Sequence, residues 1–503
     1  MGESSIGRGT VATASIRAGA AGTSGSRPDY SGNFPAGVGG LAGRLDLIGP
    51  IPVPWLFDRV RRQYFGVRSQ PAVAAGEEFG MRIPSFPAVL PSGPARRPVL
   101  LLALGSFVLG TDAFVVSGVL PEVGRDLGLQ LTAAGLLITV FAGGYALAAP
   151  VVAVITGGWC RRRLLLHALG VLVAADLLAV LAPDYRVLLA ARVLAAFGAA
   201  AYMPAASASA AAVTEPAERG RALATVIGGL PLAGALGVPL GTLLGQAVHW
   251  RATFAFVAAL GLVAAVELAR ALGPVPSPGV ASLHDRFAAG GRPGVPMTLL
   301  STFGAVGGIF VLYTYLAWFA DGVAGLHGGA VTTIYLIFGV VGVLSNLIAG
   351  WLIDRLPAAQ IAATSMVGLG VTFGLLAVLA RVSSPAAATT VILAVLVGAW
   401  SLAGWLLNPA QQQRLLGAAG PQGPVVLSLN ASAIYAGQAG GSVVGRLMLP
   451  HGPGPVALSA ATCEVFAVCV LLRSMRRLGQ PAVFESGRRA DLPAPAAGSG
   501  STS

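Results

Sequence analysis

From about residue 98 onward, apolar residues come in long blocks separated by short polar connections. The blocks are too long and too numerous for buried strands, and segments of roughly 20 apolar residues match a hydrocarbon core of about 30 Å at 1.5 Å of rise per helical residue. In lipid, backbone hydrogen bonds must close within each segment, which selects helices. The pattern predicts twelve membrane helices, at 98–121, 132–157, 164–182, 187–212, 221–245, 252–272, 295–319, 329–352, 358–380, 386–409, 424–448 and 455–473. The longest internal polar connection, GPVPSPGVASLHDRFAAGGRPGVP, falls between the sixth and seventh. It divides the expected all-α membrane fold into an N-terminal half, 98–272, a linker, 273–294, and a C-terminal half, 295–473.

The two ends differ from this core. Residues 1–97 are rich in Gly, Ser, Pro and Arg and carry only brief apolar pieces such as LIGPIPVPWLF, so they read as a disordered extension. A weak amphipathic surface segment near Trp55 to Tyr64 is the alternative. The lead-in MRIPSFPAVLPSGPARRP makes Met81 an alternative natural start, and 474–503 read as a disordered tail.

Composition supports lipid as the solvent. The 503-residue chain is 55% hydrophobic and 10% charged, against about a quarter charged in an ordinary soluble domain; its mean hydropathy is +0.76. The net charge of +12 comes from arginine alone, since there is no lysine. Arg96, Arg97, Arg161 to Arg163, Arg219, Arg221, Arg286, Arg292, Arg355, Arg414, Arg473, Arg476 and Arg477 share one side if the spans alternate. Opposite connections hold isolated arginines such as Arg125, Arg186, Arg251 and Arg381. The positive-inside bias then puts both termini in the cytoplasm and explains the charge without nucleic acid. Membrane lipids are the expected surroundings.

Candidate chemistry is sparse. Cys160, Cys463 and Cys469 have no ligand spacing, so no metal, cofactor or disulfide framework is expected. The histidines His167, His249, His284, His327 and His451 are scattered near ends and loops, which argues against an enzyme. There is no GxxxxGK[ST] and no room for a nucleotide-binding domain, so active transport would draw on a gradient. Four acids lie inside predicted spans, Asp112, Asp176 and Glu464 deeply and Glu267 near an end, while Asp321 lies near the end of the seventh. A charge at such depth needs a cavity, a partner or a task. Asp112 is the leading proton carrier, and Asp176 and Glu464 compete with it. Phe114, Tyr145, Tyr202, Met203, Tyr313 and Tyr315 are candidate pocket residues, with interfacial anchoring or packing as the alternative.

Several quoted stretches resemble the major facilitator superfamily, particularly the bacterial twelve-helix drug:proton antiporters grouped with chloramphenicol-resistance and arabinose-efflux-like permeases. The likeness covers roughly residues 98–475. GTDAFVVSGVLPEVGRDLGL looks like the family's first-helix signature, with Asp112 one residue before the position where many relatives place Glu. The loop GGWCRRR resembles the family's gate loop, with Gly157, Gly158, Arg161 and Arg162, but Cys160 stands where an aspartate is often found. The second copy, Gly350, Asp354 and Arg355, is more orthodox. LLAARVLAAFGAAAYMPAA resembles the segment whose membrane-buried arginine takes part in coupling, which implies Arg192. Gly237, Pro239 and Gly241 match the antiporter motif, Trp250, Arg251 and Phe254 match a WRxxF continuation, and Asn430 and Gln438 lie in a matching polar eleventh span.

The resemblance implies two pseudo-symmetric six-helix halves and a monomer that exchanges protons for a small amphipathic molecule. An exporter of sugars, nucleosides or another metabolite is the alternative of the same class, and a nontransporting membrane scaffold that of another.

Overall fold

The computed structural model describes residues 93–275, 288–382 and 387–477. The predicted extension up to residue 92, with Met81, most of the linker, and the tail from 478 lie outside the described residues. The rest is helical throughout. The long elements are α1 (Arg96–Asp126), α3 (Leu136–Ile155, entered through the short α2, Leu131–Ala134), α4 (Arg161–Val180), α5 (Tyr185–Val213), α6 (Arg219–Leu232), α7 (Val238–Ala247), α8 (Trp250–Ala271), α9 (Val295–Tyr313), α10 (Leu316–Ala324), α11 (Gly329–Ile353), α12 (Ala358–Leu379), α13 (Ala387–Ala419), α14 (Gly423–Met448) and α15 (Pro453–Arg477).

Among the described residues, eleven helical stretches are long and apolar enough to cross a membrane. The expected eleventh span, α14, is a helix of 26 residues, but it is not among the eleven. Its glycines, Asn430, Gln438 and Ser442 dilute the apolar residues. Large apolar side chains point outward around the bundle, among them Leu147 at 76%, Leu181 at 77% and Leu447 at 61% exposure. Water would make such an outer face costly, whereas acyl chains match it.

Helix bounds depart from the apolar blocks in several places. α1 runs past Pro121 to Asp126, and α13 runs past Pro409 to Ala419; each proline forfeits one backbone donor, yet the helix continues. The predicted span 295–319 instead breaks after Tyr313, because Tyr315 leaves helical geometry at φ −118°, ψ 22°. Its hydroxyl donates to the Ser442 carbonyl on α14 at 3.2 Å, so a tertiary contact reorients the chain. The helix of α15 also continues through 474–477, where a tail was expected.

Polar groups at helix ends fasten α1, α4 and α8. Trp250 Nε1 and Arg251 Nη1 both donate to Asp126 Oδ2, at 2.8 and 2.9 Å, and Arg251 Nη2 donates to the Ala182 carbonyl at 2.9 Å. Phe254 is buried edge-on against Trp250. At the other end Arg97 meets Glu267 at 3.1 Å and Arg162 donates to the Ala269 carbonyl at 2.6 Å.

Helices before residue 272 pack largely on one another, as do those after residue 295, and the two sets meet mainly where α14 lies on α3 and where α11 lies on α6 and α7. Between α6 and α7 the chain forms a π-helical turn, Ala233–Gly237. A side chain at Gly339 of α11 would strike the backbone of Gly234 in that turn, so bare backbone is required on the α11 side of the crossing. Gly339→Ala is expected to destabilise the protein by about 1–3 kcal/mol through overpacking. Gly350→Ala, at a position where a Cβ meets nothing within 4 Å, should change stability by less than about 0.5 kcal/mol. Thermal unfolding of the two purified variants checks the contrast.

Candidate functional site: a buried cluster of two acids and an arginine

Asp112 lies near the middle of α1, a 31-residue helix. α5 begins at Tyr185, after the Asp184 side chain accepts from the Val187 amide at 3.0 Å. That start sets Arg192 about 10 Å along the helix axis at 1.5 Å per residue, inside the bundle and not at its edge. Its guanidinium reaches Asp112: Nη1 donates to Oδ1 at 2.5 Å and Nη2 to the Asp112 carbonyl at 3.2 Å. The side chains are 1% and 0% exposed. Phe141 of α3 lies under the guanidinium, with Cζ 4.5 Å from the ring centroid, a cation–π contact that strengthens when desolvated.

A third charge-bearing group completes the cluster. Asp176 of α4 is buried within electrostatic reach of both Asp112 and Arg192. Neither of its carboxyl oxygens has a hydrogen-bond partner among the described residues, nor does Asp112 Oδ2 or Arg192 Nε. With both acids ionised the three groups sum to one negative charge, and with one proton bound they sum to zero. In a medium without water that difference is worth several kcal/mol. The charge balance of the cluster is therefore a strong constraint on how the helices around it pack.

Aromatic residues wall this region. Tyr145 of α3 stacks on Tyr435 of α14 at 3.6 Å between centroids, and Phe141 meets the same tyrosine edge-on at 6.2 Å. Phe114, on the turn after Asp112, contacts Phe310 and Tyr313 of α9, at 6.3 and 5.9 Å. Tyr313 in turn contacts Tyr335, Phe338 and Trp400. Near the same contact surface Asn430 Oδ1 and Gln438 Nε2, both on α14 and buried, have no hydrogen-bond partner among the described residues.

Other predicted residues lie apart. Tyr202 donates to the Leu102 carbonyl at 2.9 Å between α1 and α5, and Met203 beside it is half-buried. Tyr315 serves the α10–α14 contact described above. Glu464 sits on α15, away from the α1–α4–α5 cluster. Gly237 and Gly241 line the α1–α7 seam, where their Cβ atoms would strike Thr111 and Val115, and Pro239 between them is buried. In the loop that enters α4, Gly158 is exposed with open space around it, and the Arg161 amide donates to the Val275 carbonyl at 2.9 Å. Gly157 is buried beside it. At the end of α11, Gly350 faces open space, Asp354 is exposed, and Arg355 folds back on Trp351, 4.2 Å above its ring. Among the described residues no ion pair engages Asp354.

Sequence reasoning did not anticipate the contacts between the two sets of helices. Thr139 donates to Ser442 Oγ at 2.8 Å, and Thr332 donates to Gln246 Oε1 at 3.3 Å. Nothing in an isolated Thr or Ser marks such a role. A cleft of 610 Å³ opens beside the second of these contacts, where α1 faces α10 and α11, and its lining includes Gln246, Glu122, Arg125, Trp318, Asp321 and His327.

Residues 102–442 match the model of the Major Facilitator Superfamily. The chain belongs to that superfamily. It is 32% identical over 353 residues to the uncharacterized MFS-type transporter YbcL of Bacillus subtilis (strain 168), covering 70% of this chain and 89% of that one. It is 29% identical over 384 residues to the inner membrane transport protein YdhP of Escherichia coli (strain K12), covering 76% and 97%. A chloramphenicol resistance protein of Streptomyces lividans is 32% identical over 381 residues, covering 75% and 95%. The protein is thus a multi-pass membrane transporter of small molecules and not an enzyme. Among the described residues no three His, Cys, Asp or Glu side chains are grouped to hold a metal.

Removing one partner of the buried pair exposes its worth. Arg192→Met leaves two buried acids without their cation and is expected to cost about 3–5 kcal/mol. Adding Asp112→Asn to that variant should recover a large part of the loss. A double-mutant cycle on thermal unfolding measures the coupling, and additive losses would contradict it.

Proposed function

We propose that this transporter exports small amphipathic compounds in exchange for protons, by alternating access across a bacterial inner membrane. The observation that carries the reading is the buried set Asp112, Arg192 and Asp176. Protonation of Asp112 removes a charge from the set and weakens its hold on Arg192, and release of the proton restores both. A group that trades a proton for a guanidinium in this way gives two states of different packing, biased by pH on whichever side has access. Asp176, which shares the same cation, is the partner through which the proton passes or by which it is retained.

The finer architecture follows the same reading. Counting α14 with the eleven apolar stretches gives twelve crossings in two pseudo-symmetric halves, 98–272 and 295–473, joined by the cytoplasmic linker 273–294, with both termini cytoplasmic. The seams α3–α14 and α7–α11 are then where the halves rock. Gly157, Gly158, Arg161 and Arg162, with Gly350, Asp354 and Arg355, act as the cytoplasmic gate, and Gly237, Pro239 and Gly241 form the pivot.

Between the halves, Phe114, Tyr145 and Tyr313 offer an apolar aromatic wall, and Asn430 and Gln438 offer one free acceptor and one free donor. Such a lining suits an aromatic or amphipathic solute with a few polar groups. The Streptomyces relative's name makes chloramphenicol-like compounds the first to try. The transporter acts as a monomer, since one chain carries both halves.

Purified protein in proteoliposomes, assayed by counterflow and under an imposed proton gradient against phenicols, cationic dyes, sugars and nucleosides, tests this reading. Gradient-driven accumulation of a phenicol or dye is expected. Asp112→Asn should abolish the response to the gradient at least about tenfold, equivalent to 1.4 kcal/mol, while counterflow persists. Unchanged coupling in that variant would remove Asp112 from the role, and absence of flux for every compound would remove the function.

A further inference from the structure

The mechanism above leaves one deeply buried acid unused. Glu464 of α15 is 0% exposed, and neither carboxyl oxygen has a hydrogen-bond partner among the described residues. Asp176 at least shares the field of Arg192, whereas no described cation forms an ion pair with Glu464. It faces α9 and α12, the helices most closely packed against α15. Neither has a charged residue anywhere along its length.

Local packing is shaped around this carboxyl. A Cβ built at Gly308 of α9 would lie 2.7 Å from Glu464 Oε1, and one at Gly370 of α12 would lie 3.4 Å from Glu464 Cβ. The carboxyl therefore occupies room that the missing side chain of Gly308 leaves open, with Gly370 in ordinary contact range of its Cβ. The remaining titratable or charged groups on the packed elements are Tyr313 on α9, Tyr435 and Arg446 on α14, Asp321 on α10, His451 in the turn before α15, Arg414 of α13, which donates to Ser474 Oγ near the far end of α15, and Cys463, Cys469, Arg473, Arg476 and Arg477 on α15 itself. Arg446 and Asp321 stand near helix ends, and Glu464 is about 16 Å along α15 from its start at 1.5 Å per residue.

We propose that Glu464 is a second proton-binding site, independent of the Asp112 cluster, whose neutral carboxyl keeps α15 closed on α9 and α12 and whose ionisation opens that seam to water. The argument is one of solvation. A neutral carboxyl fits the apolar site at modest cost, but an ionised one without a cation demands water. Water reaches it only if the helices separate. Proton binding and seam closure are then two sides of one equilibrium, each favouring the other by the same factor. The seam also bears on transport, because α9 carries Phe310 and Tyr313 and packs along α14, the helix that meets α3.

Cys463 supplies a native reporter. It is half-buried, and its Cβ would stand 3.3 Å from a Cβ at Gly308, on the same seam. In full-length protein with Cys160→Ser and Cys469→Ser, held in phosphatidylethanolamine and phosphatidylglycerol vesicles, its rate of reaction with N-ethylmaleimide is measured against pH. Each rate is divided by that of the unfolded chain at the same pH. Between about pH 5 and 7.5, where the thiol is mostly protonated in folded and unfolded chain alike, the normalised rate is expected to rise with pH, approaching about tenfold per unit where the seam opens. It should stay flat in Glu464→Gln and be unaffected by Asp112→Asn.

A flat profile in the parent, an equal rise in Glu464→Gln, or loss of the rise in Asp112→Asn overturns the proposal. The last outcome would assign the effect to the first cluster, so the two readings fail separately. A second measurement needs no substitution at 464. A hydrophobic carbodiimide, which requires a protonated carboxyl in an apolar site, should modify Glu464 at neutral pH, with the adduct located by mass spectrometry. Its absence from Glu464 alongside labelling of Asp176 also counts against the site.

Discussion

The contact between Arg192 and Asp112 organises the helices around it. Two full charges sit at 1% and 0% exposure, 2.5 Å apart, in a bundle whose outer face is apolar. Neither group is tolerable there without the other, so α1 and α5 are held in register by a constraint that lipid makes stringent. Phe141 beneath the guanidinium extends the constraint to α3, and Asp176 extends it to α4. Four helices are thereby tied to one charge balance. Two acids against one arginine leave that balance one positive charge short when both acids are ionised; in the proposed mechanism a proton makes up the difference.

Around this centre, cohesion comes from close backbone approach. Lipid gives helices no hydrophobic reason to associate, so van der Waals contact and a few hydrogen bonds must suffice. The α1–α7 and α9–α14 seams, and the crossing of α11 on the π-helical turn, each hold glycines at which a Cβ would strike a neighbour. Two kinds of glycine are present. Gly237, Gly241, Gly339 and Gly441 permit contact, whereas Gly158 and Gly350 face open space and serve the loop ends. The first kind lets helix backbones approach closely; at the second a side chain would meet nothing.

The proposed sites divide the chemistry between the two sets of helices. In the first, two acids share one guanidinium. In the second, Glu464 stands in a wall without charge, beside the bare backbone of Gly308. Both exploit the same penalty for an uncompensated charge in an apolar medium, one through a competing cation and the other through access of water.

Much of this was legible in the residues. Block length and the scarcity of charge dictate membrane helices, because the hydrocarbon thickness and the need to close backbone hydrogen bonds leave few other solutions. WRATF at the start of α8 and the glycine-proline run before it marked real contacts, since bulky or conformationally special residues carry their signal locally. The depth of Arg192, the break at Tyr315 and the Thr139–Ser442 bond were not legible in this way. The partner of Asp112 lies 80 residues away, and Tyr315 answers to a carbonyl 127 residues away. By itself the sequence determined that the chain is a helical membrane protein with acids in its apolar spans, because solvation acts on composition and order alone. Which acid meets a cation and which stands without one was decided only by tertiary structure, because helix rotation and register follow from packing across the whole bundle.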